Sequence, residues 1–202
     1  MKTRNGKSLE TVEEFKYLGA WTSSSEKDFN TRKGQAWTAE HKLRRIWTSR
    51  LSRNTKIRLF VATVESVLLY GSETWAITKR MEKSINGCYT RMLRMALNIP
   101  WQQHPTNEML YGNLPKVSDK IRERRLRLAG HCVRHPEEQA SNLILWEPKR
   151  GFAKRRRRNI TFLDNIKADT GLDRLDELRN VMKDRKIWKD YVISARVGTR
   201  PK

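Results

Sequence analysis

Three things are scarce in this chain of 202 residues, and each scarcity excludes a class of protein. Only two cysteines, Cys88 and Cys132, are present, which is too few for a disulfide framework and points to a reducing compartment. No window approaches the roughly 18 consecutive apolar residues of a membrane span. The most apolar run, Leu59 to Tyr70, is broken by Thr63, Glu65 and Ser66. No charged and then apolar leader opens the chain, so the expectation is an intracellular protein of nucleus or cytoplasm, without a membrane partner. Adjacent aspartates are lacking altogether. Two-metal phosphoryl transfer needs carboxylates that hold Mg²⁺ ions about 3.5–4 Å apart, and no strand-like context surrounds Asp28, Asp119 or Asp164. Asp164, Asp169, Asp173 and Asp176 read as solvated helix charges in a basic setting. There is no Walker loop, G-x-S-x-G or H-E-x-x-H either. The expectation is a chain that is not an enzyme by itself.

What is abundant is positive charge. Lys and Arg number 43 against 22 Asp and Glu, a formal net charge of +21. Solubility does not require so large a surplus, and it points to a polyanion, RNA and/or DNA, as partner. Seven tryptophans argue against wholesale disorder, because such rings need burial.

Taken in order, Asn5-Gly6 is a two-residue hairpin signal feeding an aromatic-apolar strand, Phe15-Lys16-Tyr17-Leu18, which Gly19 closes. Ser23 to Asp28 reads as a polar turn. Ala36, Ala39, Leu43, Ile46 and Trp47 then recur at helical spacing, with Arg44, Arg45 and Arg50 pointing elsewhere. Ser52 caps a second helix that stops at Tyr70-Gly71. Thr78 caps a third, whose stripe includes Cys88 as a small buried hydrophobe and which Pro100 ends. Thr106 caps a short helix that ends at Gly112. After Pro115 comes a longer one carrying Val117, Ile121, Leu128 and Cys132 on one side and Arg122, Arg124, Arg125, Arg127 and Arg134 on the remainder. His135-Pro136 ends it. Lys154 to Arg158 is a run of like charges that reads as an extended linker, and short helices follow from Ile160.

The organisation expected is mainly α. A β hairpin and strand occupy 1–22, a basic amphipathic helix bundle 23–146, a basic linker 147–159 and a small helical tail 160–202. His131, Cys132 and His135 share one helix end. Zinc would need four ligands, and only Cys88 and His104 are left to complete the set, so the expectation is no metal and no cofactor. Arginines interleaved with Trp101, Tyr111 and Trp146 suit phosphate contact plus base stacking.

Six strings carry a resemblance. Phe15-Lys16-Tyr17-Leu18-Gly19 resembles the primer-grip strand of non-LTR retrotransposon reverse transcriptases that also carry an apurinic-type endonuclease. Ile46-Trp47 and Lys56-Ile57-Arg58-Leu59-Phe60, followed by Leu68-Leu69-Tyr70-Gly71-Ser72-Glu73-Thr74-Trp75, are similar to the helices after that strand. Arg124-Arg125-Leu126 with Gly130-His131 and Arg134 is similar to the family's R-R-L-x-x-x-G-H-x-x-R segment. Asp184-Arg185-Lys186-Ile187-Trp188-Lys189 resembles its closing D-R-x-x-W-R. Where the family reads R-G-R-P, this chain has Arg155 to Arg158.

The resemblance implies a primer grip, a thumb and the region beyond it, without the fingers, palm, catalytic aspartates or endonuclease. Mg²⁺ would then belong only to the missing polymerase core, and the palm and fingers become candidate partners. The residues expected to meet a duplex are Tyr17, Leu18 and Gly19 at the primer end, Arg44, Arg45 and Arg50, and Arg122, Arg124, Arg125 and Arg127. Lys154, Arg155, Arg156, Arg157 and Arg158 would add phosphate affinity that is blind to sequence. Two further expectations stay open: an independent or domesticated basic regulator that binds RNA or DNA, and a nuclear import role for Arg155 to Arg158.

Overall fold

Ser24, Ser52, Thr78, Thr106 and Thr161 each accept a hydrogen bond from the backbone N–H three residues on, and those five caps start five of the helices. The computed structural model describes residues 15–21, 24–137, 143–147 and 160–198. The Asn5-Gly6 turn and the run Lys154 to Arg158 lie outside them. The hairpin that is described sits further on, with β1 (Lys16–Tyr17) antiparallel to β2 (Ala20–Trp21) and Leu18-Gly19 as the two-residue turn. Leu18 and Gly19 both have positive φ, 46° and 85°, the pairing that matches a tight turn to the twist of its strands.

Next come α1 (Ser25–Lys42) and the short α2 (Arg44–Trp47). A helix begins as α3 (Arg53–Phe60), passes through a π-helical turn (Val61–Glu65) and ends as α4 (Ser66–Leu68). After the bend at Tyr70-Gly71 come α5 (Lys79–Ala96), α6 (Asn107–Tyr111) and the long α7 (Val117–Arg134). The tail comprises α8 (Phe162–Thr170), α9 (Leu175–Lys183) and α10 (Arg185–Val197). The mainly α reading with a short hairpin therefore holds, and no helix among the described residues is long and apolar enough to cross a membrane.

Helix α7 is the wall between two apolar clusters. Val117 and Ile121 face the first, with Phe29, Phe60, Leu68, Trp75, Ile85, Tyr89 and Met92. Leu126 and Ala129 face the second, with Leu163, Ile166, Leu178, Met182 and Trp188 of the tail. Each fully buried Leu, Ile or Phe contributes about 1.5–3 kcal/mol, so the tail is bound to α7 by its core. Cys88 and Cys132 lie within this buried set as small hydrophobes.

Three readings of the sequence need correction. Ser25 to Asp28 is not a turn but the first turn of α1, started by Ser24 and carrying Glu26 and Asp28 where a helix favours acids. Asp169 is not a solvated charge, since its side chain is 8% exposed and pairs with Arg125 and Arg122. Asp164 is spent locally as well, reaching back to the Thr161 backbone in a capping box.

Candidate nucleic-acid interface

The hairpin tip projects two large side chains. Tyr17 is 61% exposed and Leu18 75%, and Phe15 stacks on Tyr17 with ring centroids 6.5 Å apart. Such groups at the end of two-residue strands would wander unless the backbone beneath them were held. Arg32 of α1 holds it by donating through Nη2 to the Gly19 carbonyl at 2.6 Å. Tyr70 holds it from the other side, its hydroxyl donating to the Leu18 carbonyl at 3.1 Å. The Arg32 guanidinium lies 4.4 Å from the Tyr70 ring centroid, so the two clamps brace each other. A Cβ on Gly19 would meet Arg32 Nη2 at 3.4 Å and would also strain a φ of 85°.

Asp28, only 2% exposed, completes the mounting. Its Oδ1 accepts from the Trp21 backbone N–H at 3.1 Å and its Oδ2 from Trp75 Nε1 at 3.0 Å. The F-K-Y-L-G and L-L-Y-G-S-E-T-W strings, about fifty residues apart, thus meet in one hydrogen-bonded assembly through Asp28, Arg32 and Tyr70. Neither Asp28 nor Arg32 stands out in the sequence for this role. Their only signal is a one-turn spacing on a polar helix, which many surface helices share.

The cations divide into two sets. Arg44 and Arg45 on α2 and Arg50 just after it are exposed and form no ion pair among the described residues. The same holds for Lys83 and Arg91 on the outer face of α5, which are not among the residues expected from sequence. The arginines of α7 behave otherwise. Arg125 is 3% exposed and binds Asp169, which makes it a strut between α7 and α8 and not a surface contact. Arg122 bridges Glu82 at 2.8 Å and Asp119 at 2.9 Å. Arg124 donates to the Leu69 carbonyl at 2.8 Å. Arg127 alone of the four is exposed, and it pairs with Glu123 one turn away. The long helix therefore spends most of its arginines on the fold.

Burial also shifts carboxylates. Desolvation pushes Asp119 and Asp169 up, against the pull of Arg122 on the first and of Arg125 and Arg122 on the second. Glu40, with no exposed surface, is raised from 4.5 to about 7 by burial.

His131 and His135 lie with ring centroids 4.4 Å apart, and His135 Nδ1 is 3.1 Å from Glu137. Cys132 is buried. Among the described residues no group of three or more His, Cys, Asp or Glu is set to hold a metal ion. Of the aromatics expected to stack on bases, Trp146 is 56% exposed. Tyr111 instead shares a 2.9 Å hydrogen bond with Thr90 and stacks on Tyr89, while the Trp101 side chain lies outside the described residues.

Comparison with known proteins adds two likenesses. Residues 39–70 match a family model described as a domain of unknown function, DUF6451. Over 195 residues the chain is 23% identical to an uncharacterized transposon-derived protein of Caenorhabditis elegans, covering 89% of this chain and 70% of the relative. No solved structure matches. The likeness to the nematode protein points to a transposon-related origin for this chain.

Proposed function

We propose that the protein is the non-catalytic primer-grip and thumb portion of a retroelement reverse transcriptase, and that it holds a template–primer by its sugar-phosphate backbone. The observation that carries this reading is the mounted hairpin tip. An exposed Tyr17-Leu18 pair is held from below by Tyr70 at the Leu18 carbonyl and by Arg32 at the adjoining Gly19 carbonyl, a geometry suited to a stiff apolar edge against a terminal base pair. Arg44, Arg45 and Arg50 supply phosphate contacts around it, because a cation with no internal partner loses nothing when it meets a phosphate. Nucleotide addition belongs to a palm that would bring its own carboxylates and Mg²⁺.

The test compares duplexes by fluorescence anisotropy at low ionic strength. A template–primer with a recessed 3′ end is expected to bind more tightly than a blunt duplex of equal length. Tyr17→Ala with Leu18→Ala is expected to erase that preference while leaving blunt-duplex affinity in place. Equal affinity for both ends in the native protein would overturn the primer-grip role.

A further inference from the structure

A second basic face lies away from the hairpin tip, where α1 and α5 pack side by side. The two helices run in the same direction, since Lys33 and Trp37 of α1 act on Cys88 of α5, and further on His41 shares a cavity of about 400 Å³ with Arg44, Met95 and Pro100. Burial pushes the Cys88 thiol up, against the pull of Lys33, of a hydrogen bond from Trp37 and of Arg91. Cations from both helices therefore flank the seam. After Asp28 the only acid on α1 is the buried Glu40, and α5 has none after Glu82. Lys33, Lys42, Lys83 and Arg91 form no ion pair among the described residues. Beside these cations sits a pair of rings. Trp37 stacks on His41 with centroids 5.9 Å apart and planes inclined by 29°. Trp37 is half-buried against the first apolar cluster, whereas His41 is exposed. One ring is anchored and the other is open.

We propose that this seam carries a single strand of nucleic acid, with one base stacked on His41 so that it extends the Trp37–His41 pair. The flanking phosphates then meet Lys33 and Arg91 to one side and Arg44 to the other. A cationic groove with an aromatic platform in it is the arrangement that suits an unpaired strand, because every base has a π-face and the backbone supplies the charge. A duplex keeps its base faces inside its own stack and can use only the cations. The site is accordingly tolerant of sequence but dependent on bases. The inference rests on the nucleic-acid reading above and adds to it a single-strand path apart from Tyr17 and Leu18.

The experiment measures anisotropy of three labelled strands of equal length on the full chain: an oligothymidylate, an oligouridylate and an abasic deoxyribose-phosphate strand. Both base-bearing strands are expected to bind about tenfold more tightly than the abasic one, the gain that one good stacking contact provides; the order of the two shows whether the seam favours DNA or RNA. His41→Ala is expected to remove that advantage while leaving abasic-strand affinity and the thermal unfolding midpoint in place, because the side chain is exposed. His41→Phe is expected to restore it. Lys33→Gln with Arg91→Gln is expected to flatten the salt slope on all three strands alike, by up to about 0.7 for each phosphate lost. Equal binding of base-bearing and abasic strands, an advantage that survives His41→Ala, or a slope that the double variant leaves unmoved overturns the single-strand site. The recessed-end preference is read on duplexes and rests on Tyr17 and Leu18, so it stands or falls apart from these outcomes. No binding of any strand or duplex at low salt overturns both.

Discussion

Trp188 of the tail lies against Gly130 of the long helix so closely that a Cβ on that glycine would sit 2.2 Å from the indole Nε1, which donates to the Leu126 carbonyl at 2.8 Å. The glycine of the R-R-L-x-x-x-G-H string and the tryptophan of the D-R-x-x-W string are therefore one packing unit. Neither string explains its own residue alone. Gly130 is small because Trp188 occupies the space above it, and Trp188 finds a hydrogen-bond acceptor because the missing Cβ lets it approach the helix backbone.

The first prediction reverses a usual sign. Gly→Ala within a helix ordinarily gains about 0.5–1 kcal/mol, but Gly130→Ala is expected to lose about 1–3 kcal/mol by overpacking. Trp188→Ala is expected to lose about 3–5 kcal/mol. The double variant should cost less than the sum, since the clash vanishes with the ring. Denaturant unfolding of the four proteins provides the check, and a stabilising Gly130→Ala would contradict the packing.

The second concerns the mounting of the hairpin. Asp28→Ala removes the acceptor of both Trp21 N–H and Trp75 Nε1 and leaves Arg32 without its nearby charge, 3.8 Å away. A loss of about 2–4 kcal/mol follows from two orphaned donors and a buried cation. Hydrogen exchange should also quicken at the Trp21 amide, and an unchanged exchange rate there would count against the bridge.

How much of this is legible in the sequence varies with the range of the interaction. The caps at Ser52, Thr78 and Thr106 and the stop at Tyr70-Gly71 are readable because a cap is chosen by its own side chain and its next three residues. The start of α1 is not, because Ser25 to Thr31 holds one apolar residue, Phe29, and the burial of Asp28 and Arg32 depends on Trp75 and the hairpin. The arginines of α7 escape a sequence reading for the same reason. Nothing near Arg125 in the chain indicates Asp169, 44 residues on, and only the fold brings them together. Arg44, Arg45 and Arg50 are exposed, as their positions opposite the apolar stripe imply.

The third prediction is a pH dependence. Folded Glu40 keeps its proton up to about pH 7, whereas the unfolded side chain releases it near the ordinary 4.5. Its contribution is thus whole below pH 4.5 and is lost as pH rises through 7, by about 3 kcal/mol at most. Asp119 and Asp169, also raised, act in the same direction. Glu40→Gln removes the titrating group, so the variant should overtake the native protein in stability above pH 7 and match it near pH 4.5. Parallel curves for the two proteins across that range would contradict the assignment.

A fourth separates struts from contacts. Replacing Arg125 by Met leaves Asp169 buried without its main partner and is expected to cost about 3–5 kcal/mol of stability. Replacing Arg127, which is exposed, is expected to change stability by less than about 1 kcal/mol. In thermal unfolding the first should shift the midpoint by many degrees and the second hardly at all; the reverse order would place the ion pairs of α7 wrongly.

The most direct measurement is the salt dependence of template–primer binding. Log affinity plotted against log salt is expected to fall steeply and linearly for the native chain. Substituting Arg44, Arg45 and Arg50 together should flatten the slope by up to about 0.9 for each phosphate these side chains neutralise on a B-form duplex. A chain that ignores the duplex at low ionic strength, or a slope that survives the removal of those three arginines, would contradict the claim that they hold the backbone.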